Sequence, residues 1–461
     1  MRLATRPVAS RYDFGEEMAG IGLPTGVSLA TYPVSCRFAV GILALASGCG
    51  DNLVDGSQQE EVLSFSAQPT TALDVLVVTF DSASTLQMQL TAAGALDRFF
   101  DVVNQGPAGP LDVHLGVATS DLGTPGQNAC SVPATAAQLV GGECLASGAF
   151  LSLGADGTSN VPGGQTRADV LSCLLVRGVR GCGYEQPLEV MRRVLASPGP
   201  GFLRPGAHLG VVLVADQDDC SASDPALFAT GSAPYGPGGP HRCYADGVVC
   251  DQGPALAEIG LRTGCRPIEA PTYLHPVQVF VDALRAHSPA PASITVGVIA
   301  GDPTPFEVFD VPATDSRPTF RWVASSCIYG EPERLQSTRP PIRLDSFAAA
   351  FAERGVRAPL CGDTPGGMAQ FARQVRKGVG DGCLAGRIAS APGGDAPCTV
   401  AYRSSSGGAE LPWCRDNGPP CWRLRADPDA CAGYPSTLRL QVDGLTDLPG
   451  DAVVDGRCAV R

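Results

Sequence analysis

Four short aliphatic runs constrain this chain most: DVLVVT (74–79), DVHLGVA (112–118), HLGVVLVA (208–215) and SITVGVIA (293–300). Runs so rich in Val, Leu and Ile suit strands buried on both faces of a mostly parallel sheet. Helical patterns fall between them. The clearest places Leu86, Leu90, Ala93, Leu96, Phe100 and Val103 at spacings of three and four, with Asp97 and Arg98 off the stripe. Others start near Gln186 or span 275–287, 345–354 and 368–375. Strands alternating with helices imply right-handed crossovers and a doubly wound, mostly parallel α/β domain over about residues 73–382. In such a sheet, ligands are expected in the crevice at the carboxyl ends of the strands.

Length and composition allow a large core: the chain has 461 residues, 44% of them hydrophobic, enough for two or three domains. The formal charge is -13, and no run of clustered Lys and Arg is present to hold a phosphate backbone, which argues against nucleic acid as a partner. Of 18 cysteines, Cys36 and Cys49 lie in the leader; the rest run from Cys130 to Cys458. This even remainder predicts a disulfide framework in an oxidising compartment. Zinc is disfavoured because paired CxxC motifs and a His pair at ligand spacing are both lacking. Cys130 with Cys144, Cys173 with Cys182, and Cys250 with Cys265 would close short loops, but spacing leaves the connectivity open.

Residues 36–50, CRFAVGILALASGCG, combine a basic flank, a short apolar core and small residues. That is the pattern of a secretory signal, too short for a membrane-spanning helix. The ending Ala46-Ser47-Gly48-Cys49 resembles a bacterial lipobox, which implies cleavage before Cys49, lipidation of its sulfur and anchoring to the cell envelope through lipid alone. Residues 1–49 are therefore read as leader and 50–72, polar and without sustained periodicity, as a tether. Segments 121–166 and 219–273 are long Gly, Pro and Cys-rich insertions in the α/β domain. From Cys383 to the end, six cysteines and the strand-like STLRLQV and AVVDG predict a small Cys-rich β appendage.

After the first strand comes Phe80-Asp81-Ser82-Ala83-Ser84. An α/β sheet with a DxSxS-like turn there resembles the von Willebrand factor A domain. The phrases GVATSDLG (116–123), GCGYEQPLEV (181–190), GFLRPGAHLGVVLVADQDDCSASD (201–224) and VGVIAG (296–301) are similar, in the same order, to cysteine-containing A-domain lipoproteins of myxobacteria and related groups. The resemblance implies a metal-ion-dependent adhesion site made by the turn's Asp and two Ser, a Thr from a second loop and an Asp after the fourth strand. Magnesium, or alternatively calcium or manganese, is the implied cofactor, and an acidic group of a partner protein or cell-surface polymer completes its coordination. Such hard cations take oxygen ligands. In the ungapped register Ser82 and Ser84 match the two Ser and Phe80 replaces the Asp; shifted by one, Asp81 fits but Ala83 and Thr85 replace the Ser pair. Asp216 matches the later Asp. Glu185 is the strong oxygen ligand where the Thr loop aligns, and Thr119 ends the second strand on the same rim.

The candidate metal residues are therefore Ser82, Ser84, Asp216, Glu185 and Asp81, in a site that departs from the family's pattern and whose occupancy stays open. The acidic run Asp216, Asp218, Asp219, Asp224 admits a calcium loop as a second reading, against a solvated loop with Asp218 or Asp219 capping a helix. No GxSxG, HExxH, Walker or GxGxxG pattern occurs, so a non-enzymatic role is expected. The leading expectation is a lipid-anchored extracytoplasmic binding or adhesion protein. Its rivals are a purely structural envelope lipoprotein without metal and a cryptic hydrolase.

Overall fold

The computed structural model describes residues 59–460 apart from 69, 107–108, 125–136, 230–238, 240, 257, 289–292, 314–318, 331, 333–334, 389–397, 415–417 and 432–433. The signal-like segment, Cys36, Cys49 and Cys130 lie outside the described residues.

In chain order, β1 (Gln59–Ser66) precedes β2 (Ala72–Thr79), α1 (Leu86–Val103), β3 (Asp112–Thr119), β4 (Leu151–Leu153), α2 (Arg167–Leu175), α3 (Pro187–Ala196) and β5 (His208–Val214). Then come α4 (His241–Gly247), β6 (Val248–Gln252), β7 (Gly260–Pro267), α5 (Val277–Arg285), β8 (Ile294–Ala300), β9 (Phe306–Val311), β10 (Phe320–Val323), β11 (Cys327–Tyr329) and β12 (Gln336–Thr338). The remainder is α6 (Ile342–Ala349), β13 (Gly355–Pro359), α7 (Thr364–Gly378), β14 (Cys398–Ser404), β15 (Gly407–Glu410), β16 (Cys421–Ala426), β17 (Leu438–Asp443) and β18 (Val453–Val460).

The four aliphatic runs became β2, β3, β5 and β8 of a six-stranded sheet ordered β13-β8-β5-β2-β3-β4. All neighbours are parallel except β4, which runs antiparallel to β3. The molecule is thus a mixed α/β protein. Every residue of β5 and β8 is buried, because helices cover the sheet: α1 packs on α2 and α7, while α3 and α6 both pack on α5. The sheet's amino end is pinned by Asp74, which accepts hydrogen bonds from the backbone N–H and the guanidinium of Arg204. α7 starts on a side-chain cap, with the Asp363 carboxylate accepting from the N–H of Gly366, and ends with Arg376 and Lys377 near its negative pole.

Four of the six stripe residues of α1 are buried, Ala93, Leu96, Phe100 and Val103, but Leu86 and Leu90 in its first turns are exposed, and Met88, Gln89, Ala92 and Phe99 are buried beside them. Gln89 goes inside because its amide donates to loop carbonyls.

The segment 50–72, read as a tether, contains a strand that belongs to the fold. β1 heads a four-stranded sheet ordered β1-β18-β14-β15, pairing with β18 from Gln59 opposite Val460 to Ser66 opposite Val453. Leu63, Phe65 and Ala67 point into a second core with Val400, Trp422, Leu440 and Val454. Glu61 binds Lys377 Nζ at 2.6 Å and accepts from the N–H groups of Ala385 and Gly386. The Cys-rich C-terminal region is β-structured, as expected, but its sheet is completed by chain from the other side of the α/β layer. Cys398–Cys458, Cys383–Cys431 and Cys414–Cys421 lock it.

The insertion 219–273 supplies α4, β6 and β7. β6 and β7 join β9 and β10 in an antiparallel sheet ordered β10-β9-β7-β6 over a core of Tyr244, Val248, Phe306, Val308, Val323 and Ile342. Cys250–Cys265 forms as the spacing suggested. The other two short-loop pairings do not: Cys144 bonds Cys173, at a Cα–Cα distance of 5.8 Å, because the turn carrying Cys144 docks on α2. That leaves neither Cys130 with Cys144 nor Cys173 with Cys182. Cys220–Cys243 and Cys327–Cys361 complete the described bridges.

Candidate functional site: a carboxylate cluster at the sheet crevice

β2 lies between β3 and β5, and the chain leaves their carboxyl ends at Thr79, Thr119 and Val214. Sheet order reverses about β2, the switch point at which such sheets place their ligands. Phe80 begins the first loop as a core residue with no exposed surface. Its carbonyl accepts from Gln89 Nε2 at 2.8 Å; the same nitrogen bonds Thr85 Oγ1 at 2.9 Å and the Gly178 carbonyl at 2.8 Å. Thr85 Oγ1 donates to the Ser82 carbonyl at 2.7 Å. These bonds hold the loop against α1 and the Gly178 loop.

Asp81, Ser82, Ser84, Glu185 and Asp216 all reach this one rim. Asp81 is buried, and its carbonyl accepts from the N–H of Gly181 at 2.8 Å. A Cβ on Gly181 would lie 2.1 Å from Asp81 Oδ1, so only glycine permits the approach. Burial, reinforced by the charge of Asp121, pushes the Asp81 carboxyl up to about 7, against a hydrogen bond from Thr119. Asp81 Oδ1 has no hydrogen-bond partner among the described residues.

Glu185 has no exposed surface and sits between the other two acids. Its Oε1 accepts from the N–H of Ser82 at 3.1 Å and its Oε2 from Ser120 Oγ. Burial, then the charges of Asp81 and Asp216, hold this carboxyl well above its usual range, and the two serine hydrogen bonds only partly offset that. Asp216 is likewise fully buried. Ser84 Oγ donates to its Oδ2 at 2.5 Å, while Oδ1 has no partner among the described residues. Burial raises its carboxyl, countered by Ser84 and by the positive charge of Arg339.

The donors have the right chemistry for a hard cation and share one rim, but their carboxylate oxygens do not form a compact set. Among the described residues no three carboxylate oxygens of this rim lie within 4.8 Å of one another. The Ser84 hydroxyl is spent on Asp216, and Glu185 on Ser120 and the Ser82 backbone. The group that does meet the 4.8 Å distance, Cys414, Cys421 and Asp443, has both sulfurs tied up in one disulfide.

Asp218 and Asp219 are structural and buried, which corrects the expectation of a solvated or calcium-binding loop, while Asp224 is exposed. Asp218 accepts from the N–H groups of Arg343 and Leu344 at the start of α6. Asp219 accepts from the N–H of Leu188 at the start of α3 and forms a fully buried ion pair with Arg343 at 2.9 Å. Asp224 caps a single 3₁₀ turn. Capping was legible in the sequence; the burial was not. His114 and His208 lie at the amino ends of β3 and β5, away from the crevice.

Sequence reasoning missed Ser120, Asp121, Gln89 and Arg339 as parts of the rim. Ser120 and Asp121 directly follow the β3 run and were visible as VATSD. Arg339 comes from the turn after β12, where its N–H donates to the Asp216 carbonyl at 2.8 Å; no local signal marks it.

Neither family models nor curated proteins gave a match. Among solved structures, the pilus adhesin SpaC from Lactobacillus rhamnosus GG is 10% identical over 87% of this chain and 41% of its own, with a TM-score of 0.30. The pilus adhesin RrgA from Streptococcus pneumoniae is 11% identical over 89% and 60%, TM-score 0.31. Proximal thread matrix protein 1 from the mussel byssus is 12% identical over 51% and 39%, TM-score 0.24. The chain therefore spans about two fifths to three fifths of these proteins, and superpositions this loose establish neither fold family nor function. The disulfides point to an oxidising, extracytoplasmic compartment. No described helix is long and apolar enough to cross a membrane.

Proposed function

We propose that this chain is a lipid-anchored, extracytoplasmic binding protein with a doubly wound A-domain-like scaffold, engaging its partner at the crevice rim through a degenerate adhesion site. The observation that carries the reading is the convergence of Asp81, Ser82, Ser84, Glu185 and Asp216 at the carboxyl ends of β2, β3 and β5, on a sheet with one antiparallel edge strand. The acids are held by protons and hydrogen bonds, and the rim works without a resident divalent cation. Burial makes the ionised forms costly, and the serine hydroxyl and amide that would face a metal face carboxylates instead. Anchoring is through a lipidated Cys49, for which mass spectrometry of the mature chain is the test; an unmodified Cys49 refutes it. No catalytic step is assigned to the rim.

Capture from envelope extracts tests the rim itself. Wild type and Asp216→Ala are immobilised in EDTA, and the proteins retained only by wild type are identified. A defined species lost with Asp216→Ala supports the reading; identical retention by both chains contradicts it. One observation favours a purely structural role: Glu185 and Asp216 have no exposed surface, so Ser84 and the loop backbone are what a partner would touch.

A further inference from the structure

Among the described residues, the antiparallel sheet β10-β9-β7-β6 buries one face, while the other carries exposed apolar side chains, with Gly239 beside the Trp322 ring. Val308 and Val323, paired across β9 and β10, are buried. The alternate residues Phe309 and Trp322 are also paired and share the opposite face. Phe309 is 38% exposed there, and Leu261 on β7 is 56% exposed. Phe320 meets Trp322 edge to face at 5.7 Å. The Arg339 guanidinium lies over the Trp322 ring, 4.5 Å from its centroid. Its Nε is buried without a hydrogen-bond partner, and among the described residues the guanidinium has no ion pair. Through its backbone bond to Asp216, this ledge adjoins the rim.

We propose that Arg339, stacked on Trp322, receives a carboxylate of an extended acidic polypeptide that lies along β10, with an apolar neighbour of that carboxylate packing on Phe309. A guanidinium with one face on an indole still presents its N–H fork edgewise, which matches a carboxylate through two parallel hydrogen bonds. Stacking holds the fork in place before the ligand arrives. Among the described residues β10 is the last strand of its sheet, so its outer main-chain groups have no described strand partner and can pair with an added strand. Alternating side chains of that strand would then fall on the aromatic face, which favours a polypeptide over an acidic polysaccharide. The net charge of -13 opposes acidic ligands at long range, but salt screens this beyond about 8 Å and leaves the local pair intact. The proposal rests on the binding reading only in taking the chain as a binder; it supplies the positive charge from the protein itself.

The test is fluorescence anisotropy in EDTA with a labelled hexapeptide of alternating Phe and Glu, its Phe and Gln counterpart, and oligogalacturonate. The Glu peptide is expected to bind saturably and the Gln peptide at least tenfold more weakly. Arg339→Ala should weaken the Glu peptide at least tenfold, and Arg339→Lys and Trp322→Phe several-fold, all with wild-type circular dichroism. The proposal is overturned by equal binding of Glu and Gln peptides, by an unchanged Arg339→Ala, by binding of the uronate alone, or by no saturable binding to folded protein. Binding that appears only when magnesium replaces EDTA overturns it and the cation-free rim together, whereas loss of peptide binding in Arg339→Ala with unchanged envelope capture by Asp216→Ala leaves this inference standing and overturns the rim reading alone.

Discussion

Replacing Glu185 distinguishes a proton-held cluster from one built around charge. In Glu185→Ala, the Ser82 N–H and the Ser120 hydroxyl lose their acceptors inside a fully buried site. Two orphaned donors at about 1 kcal/mol or more each, plus about 1–2 kcal/mol for the space left, predict a loss of about 4 kcal/mol. Glu185→Gln keeps the shape: its carbonyl oxygen can accept from Ser82, and its amide can donate to a Ser120 hydroxyl that turns to accept. This variant should stay within about 1 kcal/mol of wild type at pH 5. Because burial and the neighbouring Asp81 and Asp216 raise the Glu185 carboxyl in the folded chain, the native state keeps a proton that the unfolded chain has released. Wild type therefore loses stability as pH rises from the ordinary carboxylate range through the raised value. Gln removes that contribution, so its advantage should grow toward pH 8. Urea unfolding followed by circular dichroism and tryptophan fluorescence, in EDTA at both pH values, reads the effect. A Gln variant as damaged as the Ala variant at pH 8 would show that the site requires the anion, and the proton-held account would fall.

Other consequences are independent of Glu185. Arg343→Ala leaves Asp219 buried without its counter-charge and should cost about 3–5 kcal/mol in urea unfolding. Asp81 and Asp218 are raised to about 7 and Asp345 to about 6; these groups add stability as pH falls from 8 toward 5, against the loss from His208 and His241, whose buried rings stay neutral, so Asp218→Asn should reduce the stability gained over that window in urea unfolding, and an unchanged pH dependence contradicts its burial as described. Replacing Cys398 and Cys458 together by Ser should cost about 2–5 kcal/mol, read as lost amide protection in β14 and β18 by hydrogen exchange. Truncating the chain through Ala67 exposes the second core where Leu63 and Phe65 now sit, and should abolish cooperative unfolding of the β-rich region while a mere tether would be dispensable.

The strands of the main sheet were readable because burial on both faces demands unbroken aliphatic runs. β13 was not, since Gly355–Pro359 is five residues with Arg357 inside it, and parallel pairing with β8 is a tertiary fact. β1 carried a period-two signal in Leu63, Phe65 and Ala67, masked by the polar residues around it. In α1 most of the stripe was legible; Gln89 was not, a polar residue that hydropathy places outside and that hydrogen bonding places inside. At the rim, the resemblance of the turn after the first strand to the A-domain metal loop led to Asp81, Ser82, Ser84, Glu185 and Asp216. How they pair with one another, Ser84 with Asp216 and Ser82 with Glu185, depends on loops more than a hundred residues apart in sequence. The disulfide of Cys144 shows the same limit: spacing suggested Cys130, and docking of a turn on α2 selected Cys173.

Calorimetric titration of magnesium, manganese and calcium into the protein at neutral pH tests the central claim most directly. A rim whose acids are held by protons and by one another gives no saturable heat at millimolar metal, in wild type and in Asp216→Asn alike. Saturable binding of any of the three ions that disappears in Asp216→Asn would contradict the account and make the crevice a working metal site.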